Sequence, residues 1–246
     1  INLIKFIMVK TKLSVNVNKI ATLRNSRGQN KPNLLEVVKH IEGFGSDGIT
    51  IHPRPDQRHI KYSDALDLAK IVKSEFNIEG NPIDKFMDLV LKINPTQVTL
   101  VPDGINNITS NSGWDTIKHS DFLYKKIKEL KTNGIRTSIF VNPEPKMIRG
   151  AFEIGADRIE LYTYHYAQYF KVDKKKAILK YYQSAKEANK LGIGINAGHD
   201  LNLNNIGFFK EKISNLLEVS IGHALIIESL YNGFENVISK YKQSLK

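Results

Sequence analysis

The stretch Arg136–Leu161, with the sequence RTSIFVNPEPKMIRGAFEIGADRIEL, contains the repeating unit that decides the fold. Its first residues, Arg136–Val141, are rich in β-branched and aromatic side chains, which predicts a strand. The amphipathic stretch Pro145–Ile154 predicts a helix, and the glycine after it tolerates the left-handed conformation that ends helices. A second short run, Arg158–Leu161, predicts the next strand. This order favours two parallel strands joined by a right-handed crossover.

The same alternation runs along the whole chain. Six more short runs predict strands: Leu13–Val17, Gly48–His52, Phe76–Glu79, Gln97–Val101, Gly194–Asn196 and Glu218–Ile221. Amphipathic stretches predict the other helices: Leu34–Phe44, a helix with Ser63 as its N-cap, Pro82–Ile93, Asp121–Thr132, Asp173–Leu191, Asn204–Ile213 and Ala224–Tyr241. Eight strand–helix repeats predict an α/β protein, a (β/α)8 TIM barrel formed as a single domain over residues 1–246. An open doubly wound sheet is the alternative, and residues 1–7 are upstream sequence if Met8 is the natural start.

Composition narrows the classes of function. The chain has no cysteine, which excludes disulfides, thiolate metal sites and a cysteine nucleophile, and which fits the reducing cytoplasm. No apolar run approaches the roughly 18 residues that span a bilayer, so we expect no membrane partner. The formal net charge is +11, mostly from lysines spread along predicted helices. Because there is no Arg-rich cluster, we expect no nucleic-acid partner.

Polar side chains gather where the predicted strands end. In barrels of this kind the catalytic groups lie at the C-terminal ends of the strands. Any one of these side chains alone is consistent with a structural role, but five histidine and glutamate residues at one end predict a shared cavity. The histidines and glutamates at these ends are His52, Glu79, Glu160, His199 and His223.

Two kinds of anion site are predicted beside this cavity. The turns at Gly198 and Gly222 follow the seventh and eighth strands, where such barrels bind phosphate, and Gly222 precedes a helix whose N-terminus attracts anions. Arg27, Arg54 and Arg58 lie in the loops after the first two strands, and the planar guanidinium binds phosphate well. A solvated surface arginine is the alternative for each of them.

Taken together, these segments resemble the pyridoxine 5′-phosphate synthase family. The segments that carry the resemblance are VNVNKIATLRN at 15–25, DGITIH at 47–52, DQRHI at 56–60, NIE at 77–79, LVP at 100–102, IEL at 159–161, NAGH at 196–199 and IGHA at 221–224. The resemblance implies condensation of 1-deoxy-D-xylulose 5-phosphate with 3-amino-2-oxopropyl phosphate, which yields pyridoxine 5′-phosphate, phosphate and water. It also implies no metal, no organic cofactor, and a cytoplasmic homo-octamer with extra helices at the subunit contacts.

The resemblance also assigns roles to residues. His52 and Glu79 would accept protons, His199 would donate one, and Glu160 would stabilise a transition state. The aminoketone phosphate would be held by Asn16, Arg27, Gly222 and His223, and the deoxyxylulose phosphate by Arg54, His59 and Thr109. Because an imine must be kept from water, we expect a mobile lid, and Asp103–Trp114 is the candidate.

Three positions depart from the family pattern. Asn18 and Lys19 stand where the family usually has Asp and His, which puts the details of deoxyxylulose binding in doubt. Asp200 stands where the family usually has Gly, and its charge should weaken aminoketone phosphate binding unless Lys19 or an arginine offsets it. We predict that all three contact substrate. Two alternative functions stay open: a Schiff-base aldolase that uses Lys19, and a basic scaffold or nucleic-acid-binding protein.

Overall fold

The predicted strands close into one parallel barrel in a computed structural model that describes residues 10–104 and 112–246. Each strand pairs with its neighbours in the sequence, and the last pairs with the first in parallel, so the prediction of a closed barrel is confirmed. Residues 1–7, Thr109 and most of the predicted lid lie outside the described residues. The strands are β1 (Lys12–Asn16), β2 (Gly48–Ile51), β3 (Glu75–Gly80), β4 (Gln97–Leu100), β5 (Arg136–Val141), β6 (Arg158–Tyr162), β7 (Gly194–Gly198) and β8 (Leu216–Ile221).

Helices follow the strands around the outside of the barrel. Gly45, Gly134, Gly155 and Gly192, which follow predicted helices, all have positive φ, as expected for helix ends. The helices are α1 (Asn18–Asn25), α2 (Leu34–Gly43), α3 (Tyr62–Ala69), α4 (Asp84–Ile93), α5 (Ser120–Thr132), α6 (Pro145–Glu153), α7 (Tyr164–Phe170), α8 (Lys174–Leu191), α9 (Ile206–Lys212), α10 (His223–Asn232) and α11 (Phe234–Ser244).

Three helix predictions differ from the structure. The sequence did not predict α1 or α7, which are short and bury few apolar side chains. Ser63 was expected to cap α3, but the N-cap is Lys61, two residues earlier, and the Asp64 carboxylate accepts the Lys61 backbone N–H at 2.7 Å. The sequence predicted a single helix at the C-terminus, but the structure has two, α10 and α11. They are separate because Gly233 has φ 74° and ψ 149°, which are not helical angles.

Apolar and polar side chains alternate in most of the strands, although β5, with the sequence RTSIFV, is an exception. In β1, Leu13 and Val15 belong to the core that the sheet shares with the helices. Ser14 lies between them and forms a 2.7 Å hydrogen bond with Thr50 of β2. The bonds continue from Asn77 to Thr50 at 3.3 Å and from Thr99 to Asn77 at 3.0 Å. Since successive side chains point to opposite faces, the barrel interior is polar and the outer face is apolar.

An ionic layer lies below these hydroxyl and amide groups, towards the N-terminal ends of the strands. Glu75 contacts Lys12 and accepts from Arg136 Nη2 at 2.5 Å. Glu218 accepts from Arg158 Nη1 at 3.3 Å and lies 3.9 Å from Arg136 Nη2. Three cationic side chains thus contact two carboxyl groups inside the barrel, although burial still raises the pKa of Glu218.

Replacing Glu218 by alanine tests this layer. The side chain of Glu218 is only 4% exposed, and its loss leaves two guanidinium groups without this acceptor. We expect the free energy of unfolding in urea to fall by roughly 3 kcal/mol. Glu211→Ala is the control, because Glu211 pairs with Lys212 at the exposed surface and such pairs contribute about 1 kcal/mol or less. Equal effects of the two substitutions would contradict the proposed importance of the buried layer.

Candidate active site

Glu79 occupies the centre of the C-terminal mouth of the barrel. Its Oε2 lies 3.5 Å from Asn16 Nδ2 and 4.0 Å from His52 Nδ1, and its Oε1 lies 3.5 Å from Ser220 Oγ. These contacts join the ends of β1, β2, β3 and β8. The sequence predicted that Asn16, His52 and Glu79 lie at one end of the barrel, and these three residues are neighbours in the structure. Ser220 also contacts Glu79, and the sequence did not predict this residue for the site.

Two glycines allow the strand ends to approach closely. A Cβ atom at Gly198 would overlap the Oε1 atom of Glu160, and one at Gly222 would lie 3.2 Å from Asn16 Cβ. Glu160 is therefore packed against the end of β7, where its Oε2 is buried without a hydrogen-bond partner among the described residues. The two turns that the sequence singled out thus border Glu160 and Asn16.

Burial favours the protonated forms of the carboxyl groups in this mouth. It is the largest cause that raises the pKa of Glu79 well above 4.5, followed by the charges of Glu160, Asp103 and Glu218. Burial, and then the charge of Glu218, raises the pKa of Glu160 to about 8. His52 responds in the opposite direction: burial, and then His59 and Arg54, lower its pKa to about 3. At neutral pH the mouth therefore holds a protonated Glu160 and a neutral His52 imidazole, and the raised pKa of Glu79 favours its protonated form.

His59 is fixed as a neutral donor. Its Nδ1 accepts the backbone N–H of Ile60 at 2.9 Å, so the ring proton is on Nε2. Burial, and then the charges of Arg54 and Lys19, lower the pKa of His59 to about 4. Helix α1 holds this loop, because Asn25 Nδ2 donates to the His59 carbonyl at 2.8 Å.

Arg54 is anchored by a carboxylate that the sequence analysis did not assign to substrate or catalysis. Arg54 Nη1 donates to Asp103 Oδ2 at 2.7 Å, and both side chains are almost fully buried. The same Asp103 oxygen lies 3.8 Å from His52 Nε2. Asp103 had been placed only at the edge of the predicted lid. Its position directly after the end of β4, as for the other site residues, was the signal that could have identified it.

Two of the departures from the family pattern lie beside β2. Asn18 Oδ1 accepts the backbone N–H of His52 at 2.9 Å, so its amide holds the end of that strand. Lys19 is exposed at the start of α1, and its charge contributes to the low pKa of His59. Whether either residue contacts substrate stays a prediction.

The third departure forms a pair with a predicted catalytic residue. Asp200 Oδ2 lies 3.1 Å from His199 Nδ1. The pKa of Asp200 is lowered first by this hydrogen bond, against the effect of burial, and then by the charges of His199 and His223. The positive groups around Asp200 are thus histidines, where the sequence analysis had considered Lys19 or an arginine.

The remaining predicted residues stand apart from this cluster. Arg27 is exposed in the turn after α1, and among the described residues no contact joins it to Glu79 or His52. Arg58 pairs with Asp56 at 2.6 Å in an exposed part of the loop after β2. Thr109 lies outside the described residues. The described histidine, aspartate and glutamate residues form no group that could hold a metal ion, and no described helix is long and apolar enough to cross a membrane.

The fold and this mouth define an enzyme of the (β/α)8-barrel class that places carboxyl and imidazole groups at the C-terminal ends of its strands. The family model described as "Pyridoxal phosphate biosynthesis protein PdxJ" matches residues 13–246. The chain therefore belongs to this family.

Curated relatives cover nearly the whole chain. The pyridoxine 5′-phosphate synthase of Christiangramia forsetii is 61% identical over 236 residues, which are 96% of this chain and 100% of that protein. The protein of the same name from Flavobacterium johnsoniae is 60% identical with the same coverage. Among solved structures, thiamine phosphate pyrophosphorylase from Pyrococcus furiosus has a TM-score of 0.60 at 13% identity, covering 96% of this chain and 95% of that one. That likeness shows the fold alone.

Replacing Gly198 by alanine tests the close approach of Glu160 to β7. The new methyl group would displace the buried carboxyl, so we expect a loss of about 1–3 kcal/mol of stability and of at least about 10-fold in kcat. Gly207→Ala in α9 is the matched control, because a Cβ atom there meets nothing within 4 Å. Thermal unfolding and turnover of both variants decide the matter, and a Gly198→Ala enzyme as active as the control would contradict this geometry.

Replacing Glu160 by glutamine tests the proton held by burial. Since the folded pKa is about 8 and the unfolded value 4.5, the folded protein keeps a proton between these pH values that the unfolded chain releases. Wild-type stability should therefore fall as pH rises through this window, by at most about 1.4 kcal/mol per pH unit from this group. Glu160→Gln cannot ionise and should escape this fall, so its Tm advantage should grow with pH. An advantage that stays constant or shrinks would show that Glu160 ionises normally.

Proposed function

We propose that this chain is a pyridoxine 5′-phosphate synthase, which condenses 1-deoxy-D-xylulose 5-phosphate with 3-amino-2-oxopropyl phosphate and releases phosphate and water. The observation that carries the proposal is the convergence of His52, Glu79 and Glu160 in one mouth. The reaction needs several proton transfers at one centre, and carboxyl and imidazole groups with shifted pKa values supply them. The named relatives, identical at more than half of the aligned positions, support the choice of reaction.

The resting protonation states suggest an order of events. Burial raises the pKa of Glu79 well above its ordinary value, which favours the form that carries a proton, and His52 is a neutral acceptor. The ammonium group of the aminoketone would favour the charged form of a neighbouring carboxylate and lower its pKa. Binding of this substrate would therefore prepare Glu79 to lose its proton and then to act as the base. His52, 4.0 Å away, could accept protons throughout.

Two separate groups of donors suit two phosphorylated substrates. Asn16 and Gly222 adjoin each other beside the N-terminus of α10, whose free N–H groups and dipole favour an anion. Arg54 and the Nε2–H of His59 lie near His52 and suit the second phosphate. Roles for His223, Arg27 and Thr109 in phosphate binding remain predictions.

The assembly and location of the protein are also proposals. Val172, Leu230 and Tyr231 are exposed apolar side chains on or beside the outer helices, and burying them between subunits would be favourable. They support the homo-oligomer, expected to be an octamer. The cytoplasm and the lack of nucleic-acid or membrane partners are likewise expectations from the sequence.

An activity assay with both substrates tests the proposed function. We expect purified wild-type protein to form a product that absorbs as a pyridinol. Glu79→Gln and His199→Asn should each lower kcat by about 100-fold or more, because a positioned proton-transfer group contributes that much. Glu153→Gln is the control, since this glutamate is exposed on α6.

Thermal unfolding of the same variants separates chemistry from folding. The Tm of His199→Asn should stay within a few degrees of wild type, because His199 is part-exposed. A wild-type protein that folds but forms no product from the two substrates would overturn the proposal. A borohydride-trapped adduct on Lys19 with a keto-phosphate would then favour the Schiff-base aldolase.

A further inference from the structure

We propose that Asp200 is a positioning residue that orients the His199 imidazole for proton donation. This inference rests on the proposed function, because His199 has a proton to donate only if the chain performs that chemistry. The geometry is direct: Asp200 Oδ2 lies 3.1 Å from His199 Nδ1, on consecutive residues of the turn after β7. A carboxylate bound at Nδ1 selects the ring orientation and leaves Nε2 free for the substrate.

The backbone of this turn is strained, so the presence of a carboxylate side chain at position 200 needs an explanation. His199 has φ 82° and Asp200 has φ 60°, so two successive residues other than glycine occupy the left-handed region. This conformation is unfavourable for a residue that has a Cβ atom, although aspartate is among the more tolerant residue types. Glycine at position 200 would relieve this strain and would also remove a negative charge from beside a phosphate site. The side chain of Asp200 must therefore contribute something that offsets both costs.

The rest of the structure holds the turn in this strained form. The Thr163 hydroxyl donates to the Gly198 carbonyl at 2.7 Å and also contacts the His199 carbonyl. Asn205 Nδ2 donates to the Asp200 carbonyl at 3.3 Å. The backbone of the turn that carries Asp200 is thus held by Thr163, which directly follows β6, and by Asn205, which directly precedes α9.

Aromatic rings confine the imidazole on its other sides. The Tyr162 ring meets the His199 ring edge-on, with centroids 5.1 Å apart at 88°, and the Phe140 ring lies 6.1 Å away. Within the described part of the chain, the His199 ring is hydrogen-bonded to Asp200. Ring packing sets the plane of the imidazole, and Asp200 decides which nitrogen points into the mouth.

The charged and titratable groups that face this pair come from several elements. Besides Asp200, they are His52 after β2, Tyr162 of β6 and His223 at the start of α10. The charge of His199 contributes to the low pKa of His52, and the charge of His223 contributes to the low pKa of Asp200. Burial, and then the charge of Asp200, raises the pKa of Tyr162 to about 12, so this phenol stays neutral. The carboxylate of Asp200 is therefore the negative partner for a protonated His199.

Two variants of Asp200 test the proposal. Asp200→Asn keeps the size of the side chain but removes the charge, and Asp200→Gly also removes the backbone strain. We expect kcat to fall by about 10-fold or more in both, as part of the roughly 100-fold contribution of a placed proton donor. KM for the aminoketone phosphate should stay level or fall, since a negative charge is lost. Tm should be unchanged or higher for Asp200→Gly.

The pH profile supplies a readout that a structural role would not change. Because the carboxylate stabilises a protonated imidazole, its removal should move the alkaline limb of the pH–kcat profile of Asp200→Asn to lower pH. Asp121→Asn is the matched control, since this aspartate is exposed in the first turn of α5, and its profile should match that of wild type.

The outcomes separate this proposal from the proposed function. If wild type is active and both Asp200 variants keep its kcat and pH profile, the positioning role is wrong. A rise in KM with unchanged kcat would also overturn it and would make Asp200 a substrate-binding residue, as the sequence analysis predicted. If wild type itself is inactive, the proposed function fails. The tautomer can still be measured by ¹⁵N NMR of histidine-labelled protein, where loss of Asp200 should shift the His199 ring proton away from Nδ1.

Discussion

The polar side chains inside this barrel depend on one another for stability, because an unpaired polar group away from water costs several kcal/mol. The interior of a (β/α)8 barrel is commonly filled by branched apolar residues. Here the inward positions hold hydroxyl, amide and charged groups, and the apolar residues face the helices. The strand register solves the problem, since it places Ser14, Thr50, Asn77 and Thr99 at adjacent positions where each bonds to the next.

The layers differ in how completely their charges are balanced. Near the N-terminal ends of the strands, carboxylates and guanidinium groups alternate, so Glu75 stays ionised and its pKa is lowered despite burial. At the opposite mouth, Glu79 and Glu160 have no cation in hydrogen-bond contact among the described residues, and burial raises their pKa values. Glu75 is thus an anion at one end of the barrel, whereas burial favours the protonated forms of Glu79 and Glu160 at the other end. Glu218 links the two, because its charge helps to raise the pKa of both mouth carboxyl groups.

Period and position explain what the sequence could predict. Short runs rich in β-branched residues identified the strands, and the rule that strand ends share a mouth predicted that His52, Glu79 and Glu160 lie at one end of the barrel. Helix α1 was missed because its role is tertiary: Arg24 binds Asp64 through two bonds of 2.7 and 2.8 Å, and Asn25 holds the His59 carbonyl. No local pattern encodes such contacts between residues dozens of positions apart. The pairing of Asp103 with Arg54 escaped prediction for the same reason.

The departures from the family pattern show that a position requires a particular atom or backbone conformation. More than one residue type can meet that requirement. The position of Asn18 requires an oxygen that accepts the His52 backbone N–H, and an amide meets that demand as well as a carboxylate does. The position of Asp200 requires a left-handed backbone, which glycine meets most easily and aspartate meets at some cost. A substitution such as Asn18, which keeps the required acceptor oxygen, preserves the site. A substitution such as Asp200, which introduces backbone strain and a negative charge, alters the electrostatics of the neighbouring residue. Asn18 therefore keeps the atom that its position requires, and the Asp200 carboxylate adds a charge beside the His199 imidazole.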